Sequence, residues 1–194
     1  MGTKKPTLII RCSQFFFKKS DLKFGLVATA VFSGYLAFLS FVGKSFEVDG
    51  GKVKSLGTTF GFGVRDVTQF FTERSDEMIT SYINFNQIWD FTFAIIYGFM
   101  YIIWLSVIYK PYKNRIWVLN LIPLIQVIFD WIENFCLASI AKAYLADGSI
   151  SASNVTLASN SSSIKWVFSV LVYLLIVYGI GLRLVKTIKN KKRN

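Results

Sequence analysis

Residues 24–43 read FGLVATAVFSGYLAFLSFVG, twenty consecutive positions without a charge. A stretch of that length matches the ~30 Å hydrocarbon core of a bilayer at ~1.5 Å per residue, so it predicts a transmembrane helix. Six basic residues precede it, Lys4, Lys5, Arg11, Lys18, Lys19 and Lys23, and no small-residue cleavage site follows it. That combination predicts a retained signal anchor with the N-terminus inside. The Met-Gly-Thr-Lys-Lys start resembles a myristoylation signal, but Pro6 stands where Ser or Thr is needed.

Three further apolar runs follow, Phe91 to Tyr109, Ile116 to about Ile140, and Trp166 to Leu182. Together they predict an all-α integral membrane four-helix bundle. Its predicted organisation is a basic N-terminus (1–23), a first span (24–43), an external segment (44–89) and a second span (90–109). A cytoplasmic loop (110–115), a third span (116–140), an external loop (141–163), a fourth span (164–182) and a basic tail (183–194) complete it. In 194 residues, with 53% hydrophobic and 17% aromatic content, one membrane domain occupies the chain. The mean hydropathy of +0.47 agrees.

The formal charge of +11 follows topology. Lys110, Lys113 and Arg115 lie in the 110–115 loop, and six basic residues follow Leu182, whereas 44–89 carries five basic against six acidic residues. The positive-inside rule then places both termini in the cytoplasm. No RNA- or DNA-binding motif accompanies the charge, so nucleic acid is not an expected partner. A bacterial inner membrane is the favoured location. The endoplasmic reticulum is the alternative, because Lys191-Lys192-Arg193-Asn194 resembles a dilysine retrieval signal.

The chain has no histidine. His-ligated zinc, haem and di-iron sites are therefore excluded, as are Ser-His-Asp and Cys-His catalytic arrangements. The two cysteines, Cys12 and Cys136, fall at different predicted depths, which argues against a disulfide.

Within the external segment, Val64, Val67, Phe71, Met78, Tyr82 and Phe85 recur at helical spacing among charged residues. This predicts amphipathic helix that lies on the bilayer or caps the bundle, against the plainer reading of a solvated hairpin. The Ser- and Asn-rich stretch 149–163 reads as an external loop with two sequons, at Asn154 and Asn160. In the first span, Thr29, Ala30, Ser33, Gly34, Ala37 and Ser40 predict close helix approach. Trp104, Trp117, Trp131 and Trp166 read as interfacial belt anchors.

The third span carries the chemistry. Asn120, Gln126, Asp130, Glu133 and Asn134 fall within an arc of roughly 140° at about 100° per residue, with Pro123 bending the same face. An ionisable group there costs about 3 kcal/mol or more unless it is paired or meets water. Asp130 lies about 22 Å beyond the inner boundary at Arg115. The second span begins at Asp90 with Tyr97 and Tyr101 on the same face, and the fourth begins at Lys165 with Ser169 and Tyr173. Asp90, Tyr97, Asp130, Glu133, Asn134 and Lys165 are therefore expected at one outer-leaflet level, with Lys165 compensating a carboxylate.

Such a cluster has three readings. It is interhelical glue, a site for a ligand, proton or hard cation, or a catalytic centre on lipid with Asp130 and Glu133 as general acid and base. The functional expectation is an accessory or assembly subunit, or a small ligand-binding or transport module. A lipid-modifying enzyme is the alternative. The expected surroundings are the lipid bilayer, a lipid or ion ligand, and a homo-oligomer or larger membrane complex. The sequence names no cofactor and no metal.

The Asp130-Trp-Ile-Glu-Asn134 stretch resembles a D-x-x-E-N signature in a set of small, mostly bacterial four-span membrane proteins without assigned activity. Tyr82 followed by Asp90, Tyr97-Gly98, and Lys165-Trp166 at the opening of the fourth span extend the likeness over roughly residues 60–185. The resemblance implies the four-span layout and a polar centre, and it carries no activity.

Overall fold

The computed structural model describes residues 7–50, 55–112 and 116–191. Lys4, Lys5, Pro6, Lys52, Lys54, Lys113, Arg115, Lys192 and Arg193, and the side chain of Trp117, lie outside the described residues. The chain is all-α, and four helices are long and apolar enough to cross a membrane. It is an integral membrane protein.

The first span is α2 (Leu22–Val42). Asp21 starts it by accepting the Phe24 N–H at 2.8 Å, which satisfies one of the free donors of a helix N-terminus. The expected basic N-terminus is itself helical, as α1 (Leu8–Lys19). Its order comes from packing. Ser13 is buried against the start of the third span, and Lys110 Nζ donates to the last carbonyls of α1 at Lys18 (2.6 Å) and to Ser20 (3.0 Å).

The segment between the first two spans holds α3 (Val64–Thr72) and α4 (Asp76–Asn84). Asp66 caps α3 by accepting the Gly63 N–H at 2.7 Å, and Ser75 caps α4. Their apolar faces turn inward. Val67, Phe70, Phe71, Ile79 and Tyr82 form one core with Leu137, Ile140 and Ala141 of the third span and Val155 and Ala158 of the fourth. The segment is therefore a cap on the bundle. Arg74, buried over the Phe70 ring, ties α3 to the end of the first span through the Phe46 carbonyl.

The second span, α5 (Phe91–Tyr109), has the bounds of its apolar run. It is joined to α4 without a break by a π-helical stretch, Phe85–Asp90. Carbonyls in and just after this stretch take bonds from neighbouring helices: Tyr35 donates to Trp89 O at 3.0 Å and Trp131 Nε1 to Phe91 O at 3.1 Å.

The third span opens as a 3₁₀ turn, Ile116–Leu121, and becomes α6 (Ile122–Asp147). Pro123 stands in the first turn of α6, where its missing N–H costs nothing, so it marks a change of helix type and does not bend a continuous helix. Gly148, at φ 76°, ends α6 in the left-handed conformation.

The fourth span belongs to α7 (Ala152–Lys191), forty residues and about 60 Å long. The expected external loop at 141–163 is thus largely the last turns of α6 and the first three of α7. Ser and Asn are weak helix formers, but Val155, Ala158, Ser162 and Lys165 recur at helical spacing and are buried. Tertiary packing outweighs local propensity there, and both sequons sit on helix.

The small residues of α2 divide in an unexpected way. Gly25 takes the Trp104 ring at 3.3 Å, and Thr29 accepts from Trp104 Nε1 at 2.8 Å. Ala30, Ser33, Gly34 and Ala37 face away from the bundle, and a Cβ at Gly34 would meet nothing within 4 Å. Close packing occurs instead at Gly98, where a Cβ would lie 2.6 Å from Val127, and at Gly179 against Ile108. Trp104 and Trp131 make interhelical contacts, Trp104 with Gly25 and Thr29 and Trp131 with Phe91.

Candidate functional site

The polar face of the third span separates into two centres. Near the basic end, Asn120 accepts from Ser13 Oγ at 2.5 Å and donates to Ser13 O (3.1 Å) and Ser106 Oγ (2.8 Å). This clasp joins α1, α5 and the third span, and it holds no charge.

The second centre lies where the bundle meets the cap. Lys165 of α7 is eighteen residues, about 27 Å, before Arg183, whose guanidinium donates to the carbonyls of Val107 and Ile108 at the basic end of α5. The cluster therefore sits close to one boundary of a ~30 Å hydrocarbon layer.

Lys165 Nζ is 3.0 Å from Asp130 Oδ1, pairs with Glu133 Oε2, and donates to Gly57 O at 3.0 Å. Those three acceptors match the three protons of an ammonium. Tyr97 donates to the other Asp130 oxygen, Oδ2, at 2.8 Å. Both oxygens of Asp130 are thus occupied. Glu133 has no exposure, and Asp130, Asn134 and Lys165 are 3%, 2% and 7% exposed. Two carboxylates on one ammonium at such burial are costly unless every lone pair is met.

Asp90 completes the group from the last turn of the π stretch. It forms no ion pair among the described residues, and the buried Asn134 amide is near enough to interact with its carboxylate. Neither amide atom of Asn134 otherwise reaches hydrogen-bond geometry with a protein group. The six residues expected to converge, Asp90, Tyr97, Asp130, Glu133, Asn134 and Lys165, do so.

Beside them lies a cavity of about 560 Å³ between α2 and the α5–α6–α7 bundle, roofed by the 55–58 segment. Asp90, Asp130, Lys165 and Gln126 form its polar wall; Phe32, Leu36 and Leu39 of α2 form part of its apolar wall. Glu133 is behind the wall and does not line it. Gln126 and Tyr82 line this space at 6% and 1% exposure, and the buried Gln126 Oε1 and Tyr82 Oη have no hydrogen-bond partner. Deeper in, Tyr101 and Tyr173 join hydroxyls at 2.8 Å. Among the described residues, no three carboxylates and thiols converge closely enough to hold a metal ion.

Sequence reasoning did not find the contribution of the 55–58 segment, because a backbone carbonyl such as that of Gly57 carries no signal in residue type. Asn86, one turn before Asp90 and buried in the cavity wall, was findable from its spacing. No protein-family model, curated protein or solved structure matches the chain.

Proposed function

We propose that this protein is a non-enzymatic binding module that draws an amphiphile from the bilayer into the cavity between α2 and the other three spans. The observation that carries this reading is the cavity itself, which is large enough for a small ligand and has one charged wall and one apolar wall. Interhelical glue needs neither empty space nor unpaired buried acceptors, since buried polar groups in finished cores are nearly always bonded. The lipid-enzyme alternative is less well supported. Glu133 does not line the cavity, and Asp130, which does, is held as a carboxylate by the Lys165 ammonium and the Tyr97 hydroxyl.

Lys18, Lys110, Arg183 and Lys186 gather at the end of the bundle opposite the cap. By the positive-inside rule that end is proposed as cytoplasmic, with both termini inside and the cap outside a plasma membrane. The likeness to small four-span proteins is proposed to extend to this layout.

Native mass spectrometry of the protein released from membranes in a mild detergent tests the reading. A bound amphiphile is expected on the wild type and absent from Leu36→Trp, which fills the apolar side of the cavity while leaving the ion pairs intact. Mass spectra free of adduct, together with equal unfolding midpoints for wild type and variant after adding back extracted lipid, would sink it.

A further inference from the structure

We propose that the head group this cavity selects is a protonated amine, carried on an apolar chain. The inference rests on the amphiphile-binding reading above and assigns the chemistry of its ligand.

Charge comes first. Among the described residues that line the cavity, Glu47, Asp90 and Asp130 stand against the single cation Lys165. The Lys165 ammonium has already spent its three protons on Asp130, Glu133 and the Gly57 carbonyl. Among the described residues an anionic head group would find no free cation there and would meet carboxylate. A cationic one would meet Asp90, which has no ion pair among those residues.

Hydrogen-bonding capacity points the same way. The unpartnered buried atoms on the wall include Gln126 Oε1, an acceptor only, and Tyr82 Oη, which can also accept. An ammonium offers N–H donors to such atoms, whereas a sulfate or phosphate offers further acceptors. The rest of the lining adds to the preference. Phe32, Phe85, Phe93, Tyr97, Tyr101 and Tyr173 surround the space with aromatic rings, whose faces attract cations within about 6 Å, most strongly when water is excluded. Apolar groups of α2 beside this aromatic wall leave room for a hydrocarbon chain.

The test uses the full-length protein in dodecyl maltoside, titrated calorimetrically against empty micelles with three ten-carbon probes below their own micellar concentrations: decylammonium, decanol and decyl sulfate. Decylammonium is expected to bind at least about tenfold tighter than decanol, and decyl sulfate more weakly than either. Asp90→Asn, which removes the unpaired charge and preserves volume, is expected to erase the preference for decylammonium over decanol. Saturable decanol binding with no preference for decylammonium would overturn the amine inference and leave the amphiphile reading standing. No saturable binding of any probe would remove both. Displacement of decylammonium by a short-chain phosphatidylethanolamine would support the proposal and identify a lipid head group as the source; displacement by a free long-chain amine alone would support it with a free amine as the source.

Discussion

The third span builds two polar centres from one helix face, and they are finished to different degrees. Around Asn120 every group is neutral, the amide meets three partners within 3.1 Å, and α1 is held as a result. Around Asp130 the groups are charged and share Lys165, yet Glu133 Oε1, Gln126 Oε1 and Tyr82 Oη have no hydrogen-bond partner, and Asp90, Gln126 and Tyr82 line a cavity. A helix that packs only for stability has no reason to differ along its length in this way. The contrast teaches that polarity inside a bundle is weak evidence of a site, whereas polarity left unpaired beside empty space is stronger evidence.

Unfolding measurements in detergent can break that contrast. The largest loss is expected from Lys165→Met, which strands two buried carboxylates and should cost about 3–5 kcal/mol in a denaturant titration. Asn120→Leu should cost about 1–3 kcal/mol, because it removes the acceptor of Ser13 Oγ and the amide donor to Ser13 O and Ser106 Oγ; a proteolysis assay should show α1 released in the same variant. Steric packing gives a third comparison. Gly98→Ala places a methyl 2.6 Å from Val127 and should lower stability by about 1–3 kcal/mol, whereas Gly34→Ala, with open space around it, should change the melting midpoint by no more than about 0.5 kcal/mol equivalent. The smallest effect is expected at Gln126→Leu. Its carbonyl has no partner to lose, so stability should stay within about 0.5 kcal/mol of wild type or rise. A loss at Gln126 as large as that at Asn120 would mean that the two centres are alike and that both are structural.

Much of the candidate site was legible because helix period and depth are both arithmetic. Asp130 to Asn134 share a face at 100° per residue, and Asp90 and Lys165 begin runs that descend from the same boundary. That logic placed six residues together before any contact was known. It failed where the needed information was not in residue spacing. The small residues of the first span look like a packing face at i+3 and i+4, but Phe32, Tyr35 and Leu39 face the partner helix, and aromatic volume at Trp104 decides which side packs. The Ser/Asn run after Gly148 reads as loop because propensity is a local quantity, while the burial that makes it helical is supplied by α6.

The sequence by itself determined the class, the four spans, the segregation of charge and the polar face of the third span, since each depends on hydrocarbon thickness, charge transfer cost or helical repeat. Only the tertiary structure decided that α1 is a docked helix, that the segment between the first two spans is a cap sharing a core with α6 and α7, and that Lys165 is fully committed while Asp90 lines a cavity. Those outcomes depend on which groups meet across distances of tens to more than a hundred residues, as Gly57 meets Lys165 and Ser13 meets Asn120. Pairing at that range is fixed by packing shape and by the need to satisfy every buried donor and acceptor, and neither quantity is a property of a local stretch of chain.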